Sequence, residues 1–559
     1  MTTLLEPAYR PGAHARANPD KAAIVVAPGS GVSPEEAGSG VSPEEAGSGV
    51  SPEEAGSGVS PEEAGVEPVS YAELEAESAR LARAWRAAGL RPGDGVALLV
   101  ENHRRFLVVA WAAQRSGLYF TPISTQLTAG EVRYILSDSG ASVLVASART
   151  VAVAAEAAAG LDARLRLRLL VDPAPASGFA GWDDTVGAHA PEPLPDETEG
   201  ADMVYSSGTT GRPKGVKPPL SGAPFGTPPG RLAFMTDRYG FGAETVYLST
   251  APLYHAGPLR FAMTAQRLGA TVVVMDRFGA EAALDALERH RVTHSFWVPT
   301  MFIRLLGLPD DAREGRDLAA HRVALHGGAP CPVEVKQRMM QWWGPVLHEF
   351  YGGSEGAAFV ACGPEEWLAR PGTVGRSLRG RIHVLSDSGD EFPAGQVGEI
   401  WFEGGQPFEY HNDPDKTSAA RTPGGWTTLG DIGYVDEDGY LFLTDRKAFT
   451  IVSGGVNIYP QEAENVLAGH PEVADVAVFG VPNTDFGEEV KAVVVPADPA
   501  RATPAFAAEL MGFCRTQLAA IKCPRSVDFR PELPRGDNGK LYKRALRDEY
   551  RPRPDEAQP

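Results

Sequence analysis

The sequence predicts an α/β protein: a large N-terminal domain of layered α/β sheets with a β-rich subdomain, then a small C-terminal α+β domain. Three observations support this prediction. Apolar runs alternate with helical patterns up to about residue 380, short strands and turns dominate after it, and a second alternation begins near residue 461. Strands that alternate with helices are typical of βαβ units and parallel sheets. We place the domain boundary between residues 1–445 and 446–559.

The composition supports a globular protein and excludes several functional classes. Of the 559 residues, 43% are apolar or aromatic and 22% are charged, which is ordinary for a chain with a sizeable core. The formal net charge of −20 argues against non-specific binding to nucleic acid or to an anionic membrane. The four cysteines include no closely spaced pair, so no disulfide framework is expected. Neither a signal core nor an apolar run of membrane-spanning length is visible, and we expect a cytoplasmic protein without integral membrane contact.

An exact repeat interrupts the first predicted strands. Residues 29–64 are GSGVSPEEA four times, with eight glutamates and no basic residue. Gly, Ser, Pro and Glu bury too little apolar surface to offset the entropy of ordering. We favour an inert surface loop inserted between strands at 21–27 and 66–71, because long loop insertions cost little free energy. The alternative is a docking peptide for a partner.

Periodicity and turn residues give the other elements in order. The clearest is a helix over 72–89 with four apolar residues on one face: Leu74, Ala79, Leu81 and Trp85. Further elements of the large domain are a strand at 95–100, a helix at 106–116 closed by Gly117, a strand-helix-strand unit over 119–147, strands at 201–205 and 271–275, and a helix at 281–289. The later elements are strands at 382–386, 397–403 and 440–443, a helix at 461–468, and strands at 473–480 and 490–496.

The strongest local signal is the segment YSSGTTGRPKGVK at 205–217. Its three glycines allow backbone N–H groups to approach an anion, and its hydroxyl and basic side chains add donors and positive charge. This composition favours a phosphate-binding loop over a merely mobile polar loop. The spacing is not that of a Walker P-loop, because the position five residues after Gly208 is Pro213.

This segment closely resembles the signature loop of the AMP-forming adenylating enzymes, which include acyl-CoA synthetases, peptide-synthetase adenylation domains and firefly-type luciferases. Four further segments resemble motifs of the same family, and they occur in the family's order: YGGSE at 351–355, WTTLGD at 426–431, DRK at 445–447 with SGGVNIYP at 453–460, and PRGDNGK at 534–540. The chain is therefore identified as a member of this superfamily over nearly its whole length.

The resemblance implies an ATP site in which cations neutralise two anionic reactants. It assigns Mg²⁺ to Thr210 and Glu355, since Mg²⁺ takes oxygen ligands. It places Tyr351 on the adenine, Asp431 on the ribose hydroxyls and Arg446 beside Asp431. The residues it assigns to ATP or AMP are Ser206, Ser207, Gly208, Thr209, Thr210, Lys214, Gly328, Ala329, Pro330, Tyr351, Gly352, Gly353, Ser354, Asp431 and Arg446.

The resemblance also implies three catalytic residues: Lys540, which bridges carboxylate and α-phosphate in the first half-reaction, His255 and Thr210. His255 is placed near the acyl carboxylate, although a buried structural histidine is the alternative. The implied acyl pocket consists of His255, Ala256, Gly257 and Gly353. No acidic partner for an amino group is visible in 256–262, which favours a fatty or aryl acid. The pair Gly352-Gly353 suggests room for a long group.

For the second half-reaction the resemblance assigns coenzyme A to Gly454, Gly455 and Phe486. Phe486 either stacks on the CoA adenine or is a partly buried residue of the small domain. The hinge between half-reactions falls at Lys447 and Ala448, where relatives usually carry Asp or Lys at the position of Ala448. A second departure is Pro218-Pro219 and a Gly/Pro-rich stretch to residue 230, where relatives carry Thr-His before a helix.

These features predict an ATP-dependent carboxylate–CoA ligase for a hydrophobic fatty or aryl acid, using Mg²⁺ and releasing AMP and pyrophosphate. Its expected partners are small molecules, and a homodimer is left open. The alternatives are an adenylating enzyme that loads a carrier protein, a luciferase-like monooxygenase, and a non-catalytic scaffold that displays the acidic repeat. Intact Lys540, Glu355 and Asp431 argue against the scaffold.

Overall fold

The structure is a computed structural model that describes residues 9–29, 67–173, 176, 178–206, 213–406, 408–453, 456–536 and 541–550. The repeat from residue 30 to residue 64 lies outside the described residues, so neither of its two interpretations is tested. In the described part of the chain, no helix combines the length and the apolar character needed to cross a membrane.

The strands of the large domain are β1 (Ala22–Ala27), β2 (Val69–Ser70), β3 (Gly95–Leu99), β4 (Tyr119–Pro122), β5 (Ala141–Ala146), β6 (Leu167–Leu170), β7 (Ala180–Gly181), β8 (Ala201–Asp202), β9 (Val204–Ser206), β10 (Lys214–Val216), β11 (Val246–Ser249), β12 (Thr271–Met275), β13 (His294–Trp297), β14 (Val323–His326), β15 (Leu347–Tyr351), β16 (Val360–Cys362), β17 (Arg376–Ser377), β18 (Arg381–Leu385), β19 (Gly398–Glu403), β20 (Thr427–Val435) and β21 (Leu441–Arg446). Those of the small domain are β22 (Ile451–Ser453), β23 (Val456–Ile458), β24 (Val473–Asn483), β25 (Gly487–Pro496) and β26 (Ser526–Phe529).

The helices are α1 (Pro11–Ala17), α2 (Tyr71–Ala87), α3 (Phe106–Arg115), α4 (Ala129–Asp138), α5 (Val151–Ala158), α6 (Trp182–Val186), α7 (Arg231–Tyr239), α8 (Ala256–Arg267), α9 (Ala280–Arg289), α10 (Pro299–Leu306), α11 (Asp310–Arg313), α12 (Val333–Trp343), α13 (Pro364–Ala369), α14 (Pro414–Ala419), α15 (Pro460–Ala468), α16 (Pro504–Arg515) and α17 (Lys543–Glu549).

Two sheets with parallel cores form the large domain. One has the order β17-β16-β15-β14-β13-β11-β12-β1-β2, in which the strands from β15 to β1 are parallel. The other has the order β7-β6-β5-β3-β4-β8 and is parallel throughout. This confirms the α/β fold class. β1 and β2 pair antiparallel on either side of the repeat, as predicted for the first two strands.

Helices α2, α3 and α8 share one apolar core with strands of both sheets. In strand β3, Val96 and Leu98 pack in that core, while Ala97 and Leu99 pack in a second core on the opposite face of the sheet. The sequence of such a strand is continuously apolar because both of its faces are buried. The four apolar residues predicted for one face of α2 are all fully buried: Leu74, Ala79, Leu81 and Trp85.

Local signals fix the ends of these helices. Ser70 and Glu73 form a reciprocal capping box at the start of α2, in which the Ser70 side chain accepts from the Glu73 N–H at 3.2 Å. Gly117 follows α3 with φ +67°, a left-handed conformation that glycine adopts readily after a helix. The prediction of a helix closed by Gly117 is thus confirmed.

The predicted strand at 201–205 is wrong as a single strand. Ala201–Asp202 pair with β4 in the parallel sheet, whereas Val204–Ser206 pair antiparallel with β10. The chain leaves the parallel sheet after Asp202, because β9 pairs with β10, the next strand along the chain. Asp202 and Tyr205 consequently belong to different sheets.

The last part of the chain consists of two further sheets. An antiparallel sheet, β18-β19-β20-β21, forms the predicted β-rich subdomain. The small domain has the order β23-β22-β25-β24, with β26 parallel to β25. Between the two sheets, a 3₁₀ turn spans Lys447–Phe449. The domain boundary predicted after residue 445 therefore falls within β21, one residue before its end.

Candidate active site

The segments that resemble family motifs gather at one edge of the larger sheet. β11, β14 and β15 are parallel, and their carboxyl ends lead to the loops that carry His255, Gly328 and Gly352 respectively. Ligands of parallel α/β sheets bind at this edge, where loops from neighbouring strands meet. Residues far apart in the sequence are thereby brought together.

The nucleoside end, which we define as Tyr351, Asp431 and Arg446, is a continuous hydrogen-bonded chain. The Tyr351 hydroxyl donates to Asp431 Oδ2 at 2.5 Å, and Arg446 Nε lies 3.0 Å from Asp431 Oδ1. Asp431 is only 5% exposed. Burial and the Asp431 carboxylate raise the pKa of Tyr351 well above its ordinary value, and Asp431 raises the pKa of Arg446. This arrangement fixes the orientation of the Asp431 carboxylate, and its contact with the ribose hydroxyls remains a prediction.

The loops after β14 and β15 contain glycines at positions where a side chain would not fit. Gly328 has φ +83°, and it precedes Ala329 and Pro330 in the loop after β14. A Cβ at Gly327 would lie 2.6 Å from the Phe350 carbonyl oxygen, and one at Gly352 would lie 2.7 Å from that of Ala358. Side chains at these positions would push the two loops apart.

The glycine pair does not open the room that we expected for a long acyl group. A Cβ at Gly353 would contact Glu355 Oε2 and would lie 2.8 Å from Leu429 Cδ2. The space at this position is already taken by a carboxylate and an apolar side chain. The space beside Gly353 is thus filled by Glu355 of its own loop and by Leu429 of β20, and the expectation of added volume at Gly352-Gly353 is wrong.

The phosphate end, which we define as Tyr205, Lys214 and Glu355, includes residues that precede and follow the predicted phosphate-binding loop in the sequence. The β9–β10 hairpin brings Ser206 opposite Lys214, so that residues 207–213 connect the two strands. The Tyr205 hydroxyl donates to Asp138 Oδ2 at 2.6 Å. Ser207, Gly208, Thr209 and Thr210 lie outside the described residues, as does the side chain of Ser206. Their assigned contacts with ATP remain predictions.

Glu355 fits a magnesium ligand by its chemistry and surroundings. Its Oε1 accepts a hydrogen bond from the Tyr410 hydroxyl at 2.9 Å. Among the described residues no hydrogen bond reaches Oε2, and a partly exposed carboxylate oxygen is a ligand that Mg²⁺ prefers. The Lys214 ammonium lies 6.0 Å from the centre of the Tyr410 ring, which places the loop cation on the same tyrosine.

A half-buried ion pair that the sequence pattern did not predict holds the loop of Ser354. Arg260 Nε donates to Asp202 Oδ2 at 2.9 Å, and its terminal nitrogens donate to the Ser354 carbonyl at 3.1 and 3.2 Å. Burial opposes ionisation of Asp202, but Arg260 and Arg231 together lower its pKa. Burial lowers the pKa of Arg231 to about 10. Arg260 thus ties α8 to the loop that carries Glu355.

The predicted acyl-pocket residues lie at the start of α8. His255 precedes the helix, is half-buried, and contacts Tyr254 with ring centres 4.9 Å apart. The role of His255 near the acyl carboxylate, and its alternative of a structural histidine, remain predictions. Ala256 packs against the apolar cluster under the β9–β10 hairpin. A Cβ at Gly257 would lie 3.1 Å from the Phe296 ring, so glycine lets this ring approach the pocket segment closely.

The Gly/Pro-rich stretch 218–230 is anchored in the large domain rather than left as a free loop. Phe225 is 3% exposed and packs edge-on against Trp111, with ring centres 6.0 Å apart. The Gly226 N–H donates to Glu199 Oε1 at 2.7 Å, and Glu199 is paired with Arg267 at 2.7 Å. The prolines delay helix formation until α7 begins at residue 231.

Phe486 is an exposed residue in the turn between β24 and β25. It is 43% exposed, and the Arg525 guanidinium lies 4.7 Å from the centre of its ring. This partial exposure is compatible with both interpretations, a ring that stacks on the CoA adenine and a partly buried residue of the small domain. The other predicted CoA contacts, Gly454 and Gly455, lie outside the described residues, as does Lys540.

The predicted hinge residues lie in the 3₁₀ turn after β21. Lys447 Nζ is 3.0 Å from Glu399 and 3.7 Å from Asp387, both of the β-rich subdomain. Ala448 makes no such side-chain tie because it ends at Cβ. The hinge role of both residues remains a prediction.

The motifs predicted residues that contact ligands in the family. They did not predict the residues that hold those side chains and loops in place by hydrogen bonds. Tyr410, Asp138 and Arg260 stand in segments without any phosphate-binding or metal-binding pattern. Arg260 alone stands near a predicted site, on the helix that begins with the predicted acyl-pocket residues.

Comparison with known proteins identifies the family of the chain. The AMP-binding enzyme family model matches residues 59–409, and the model of the AMP-binding enzyme C-terminal domain matches residues 462–540. The chain is 37% identical over 487 residues to a feruloyl-CoA synthase of Amycolatopsis sp, covering 86% of this chain and 93% of the relative. It is 33% identical over 491 residues to the fatty acid–[acyl-carrier-protein] ligase ScoC of Streptomyces coeruleorubidus, with 86% and 92% covered.

A solved structure extends the similarity across both domains. The crystal structure of ATP-bound MatB from Rhodopseudomonas palustris superposes with a TM-score of 0.76 at 27% identity, covering 97% of this chain and 99% of that one. The family models, the relatives and the fold agree with the order of motifs along the chain. The chain therefore belongs to the AMP-binding enzyme family, as an AMP-forming acid–thiol ligase of the adenylate-forming superfamily.

Proposed function

We propose that this ligase activates a hydrophobic acid with ATP and transfers the acyl group to coenzyme A, and that an aryl acid is preferred to a long fatty acid. The observation that carries the proposal is the joining of the nucleoside end and the phosphate end at one sheet edge. The two ends meet in one loop: Gly353 lies between Tyr351 and Glu355, and a Cβ on it would lie 2.8 Å from Leu429, two residues before Asp431.

In the first half-reaction a carboxylate oxygen of the acid attacks the α-phosphorus of ATP. The new bond joins that oxygen to phosphorus, and the bond from phosphorus to pyrophosphate breaks. Asp431 holds the ribose, Lys214 adds positive charge near the phosphates, and Lys540 contacts the carboxylate and α-phosphate. Glu355 and Thr210 would hold Mg²⁺, which would neutralise phosphate charge when bound.

In the second half-reaction the CoA thiolate attacks the acyl carbon, and the carbon–oxygen bond to AMP breaks. Phe486 offers an exposed ring to the CoA adenine, and Arg525 next to it offers a cation to the CoA phosphates. Gly454 and Gly455 leave space for the pantetheine arm.

Support for an aryl acid comes from the residues around Gly257. Phe261, Phe296 and Phe350 form a cluster with ring centres 5.4, 5.8 and 5.9 Å apart. Phe261 and Phe296 are buried in the core, so their rings limit the depth available to a long chain beside Gly257. The 37% identical relative is named for an aryl acid, which agrees with this preference.

The test is CoA-dependent AMP formation across short, medium, long and aryl acids, with Lys540→Ala alongside. We expect thioester and AMP with aryl acids, and loss of both in the variant. Long-chain acids as the best substrates would overturn the preference while leaving the ligase reaction in place.

The second candidate is transfer to the phosphopantetheine of a carrier protein, because the 33% identical relative is named a ligase of that kind. Both candidates share the first half-reaction. Pyrophosphate release with the right acid, but no thioester with CoA, would favour the carrier protein.

A further inference from the structure

Residues 409–412, which we call the strap, contact three segments at the phosphate end: the loop of Glu355, strand β10 and the end of helix α4. The Tyr410 hydroxyl donates to Glu355. The His411 N–H donates to the Gly215 carbonyl of β10 at 2.8 Å, directly after the phosphate-binding loop. Asn412 Nδ2 donates to Asp138 Oδ1 at 3.1 Å, the same carboxylate that holds Tyr205 directly before the loop.

Several contacts hold the strap in one conformation. The Tyr410 N–H donates to Thr417 Oγ1 at 3.0 Å, and its ring packs edge-on against the buried Phe408 with centres 5.4 Å apart. Asn412 adopts φ +56°, a left-handed conformation that is uncommon outside glycine and persists where surrounding contacts require it. The strap is therefore a fixed support rather than a free loop.

The contact with Glu355 has a specific consequence for that carboxylate. A hydroxyl that donates to Oε1 leaves Oε2 as the oxygen for a ligand and stops rotation of the carboxylate group. Hydrogen bonds of this kind orient metal ligands from behind, and their loss weakens metal binding.

We propose that Tyr410 is a positioning residue that orients the Glu355 carboxylate for Mg²⁺, and that the strap couples this carboxylate to both strands flanking the phosphate-binding loop. The inference rests on the metal role proposed above for Glu355. It assigns to a residue outside the resembling motifs a role in the binding of MgATP.

The experiment is calorimetric titration with α,β-methylene-ATP, which lacks the bond that reacts, in Mg²⁺ and in EDTA. The ratio of the two affinities is the Mg²⁺ advantage. We expect Tyr410→Phe to reduce this advantage about 10-fold and to leave the affinity in EDTA unchanged. The substitution keeps the ring that packs against Phe408. All titrations are made at a temperature below the melting transition of every variant. The affinities can then be compared even if one variant is less stable.

Two further variants make the result decisive. Tyr440→Phe is the matched control, because its hydroxyl also donates to a glutamate, Glu366 at 3.4 Å, outside the site. It should keep the full advantage, and Glu355→Gln should lose it. If Tyr410→Phe keeps the advantage, or loses affinity equally in EDTA, the positioning role is overturned and the proposed reaction stands. If Glu355→Gln also keeps it, the metal role of Glu355 is overturned as well.

Discussion

The two ends of the nucleotide site are built in different ways. At the nucleoside end, Tyr351, Asp431 and Arg446 support one another directly, and all three stand in segments that resemble family motifs. At the phosphate end, Tyr205 and Glu355 depend on Asp138 and Tyr410, which stand in segments without such a pattern. The residues that contact a ligand are therefore easier to find in a sequence than the residues that hold them in place.

The comparison predicts its largest effect at the nucleoside end. Asp431→Ala should reduce adenylation about 100-fold or more, because it removes a charged acceptor and leaves Arg446 and the Tyr351 hydroxyl without their shared partner. Tyr351→Phe removes only one of the two contacts and should cost about 10-fold. Acid-dependent exchange between ATP and pyrophosphate measures both. Equal losses in the two variants would contradict a network centred on Asp431.

A smaller loss of adenylation rate is expected at the phosphate end from substitution of Asp138, which lies outside the family motifs. Asp138→Ala frees Tyr205 and Asn412 together, and misplacement of the loop should lower the rate of adenylation about 10-fold. Asp162→Ala, which removes an exposed carboxylate paired with Arg168, is the control and should change nothing. A normal rate in Asp138→Ala would mean that the loop needs no support from α4.

The small domain should respond in the second half-reaction alone. Phe486→Ala should raise the KM for CoA by about 3- to 10-fold through loss of ring stacking, with adenylation unchanged. Ile521→Ala is the control, since Ile521 is equally exposed at 43% on the same domain. Steady-state kinetics with varied CoA separate the two. An unchanged KM would remove Phe486 from the CoA site.

The smallest effect is expected from the acidic repeat, which belongs to neither end. Deletion of residues 30–64 should change kcat and KM less than about twofold, because β1 and β2 pair without it and loop length costs little. Full kinetics and a melting curve of the shortened chain are the measurements. A large loss of activity in a normally folded protein would instead favour the docking interpretation.

The sequence allowed prediction of most elements because their signals are local. The helix at 72–89 followed from apolar spacing and appears as α2, and the parallel strands followed from apolar runs between turns. The strand at 201–205 could not be predicted correctly, since pairing with β4 or β10 decides where it ends. The room expected at Gly352-Gly353 was wrong for a similar reason, because Leu429 comes from a distant segment.

The sequence by itself determined the α/β class, the order of the motifs and the residue types that can bind a nucleotide, because backbone freedom, charge and periodicity are properties of short segments. Only the tertiary structure decided that Asp138 holds Tyr205, that Tyr410 holds Glu355 and that Arg260 holds the Ser354 carbonyl. Each of these contacts joins residues that are between 55 and 94 positions apart. A hydrogen bond depends on atoms within about 3 Å of one another, and chain folding alone brings them there.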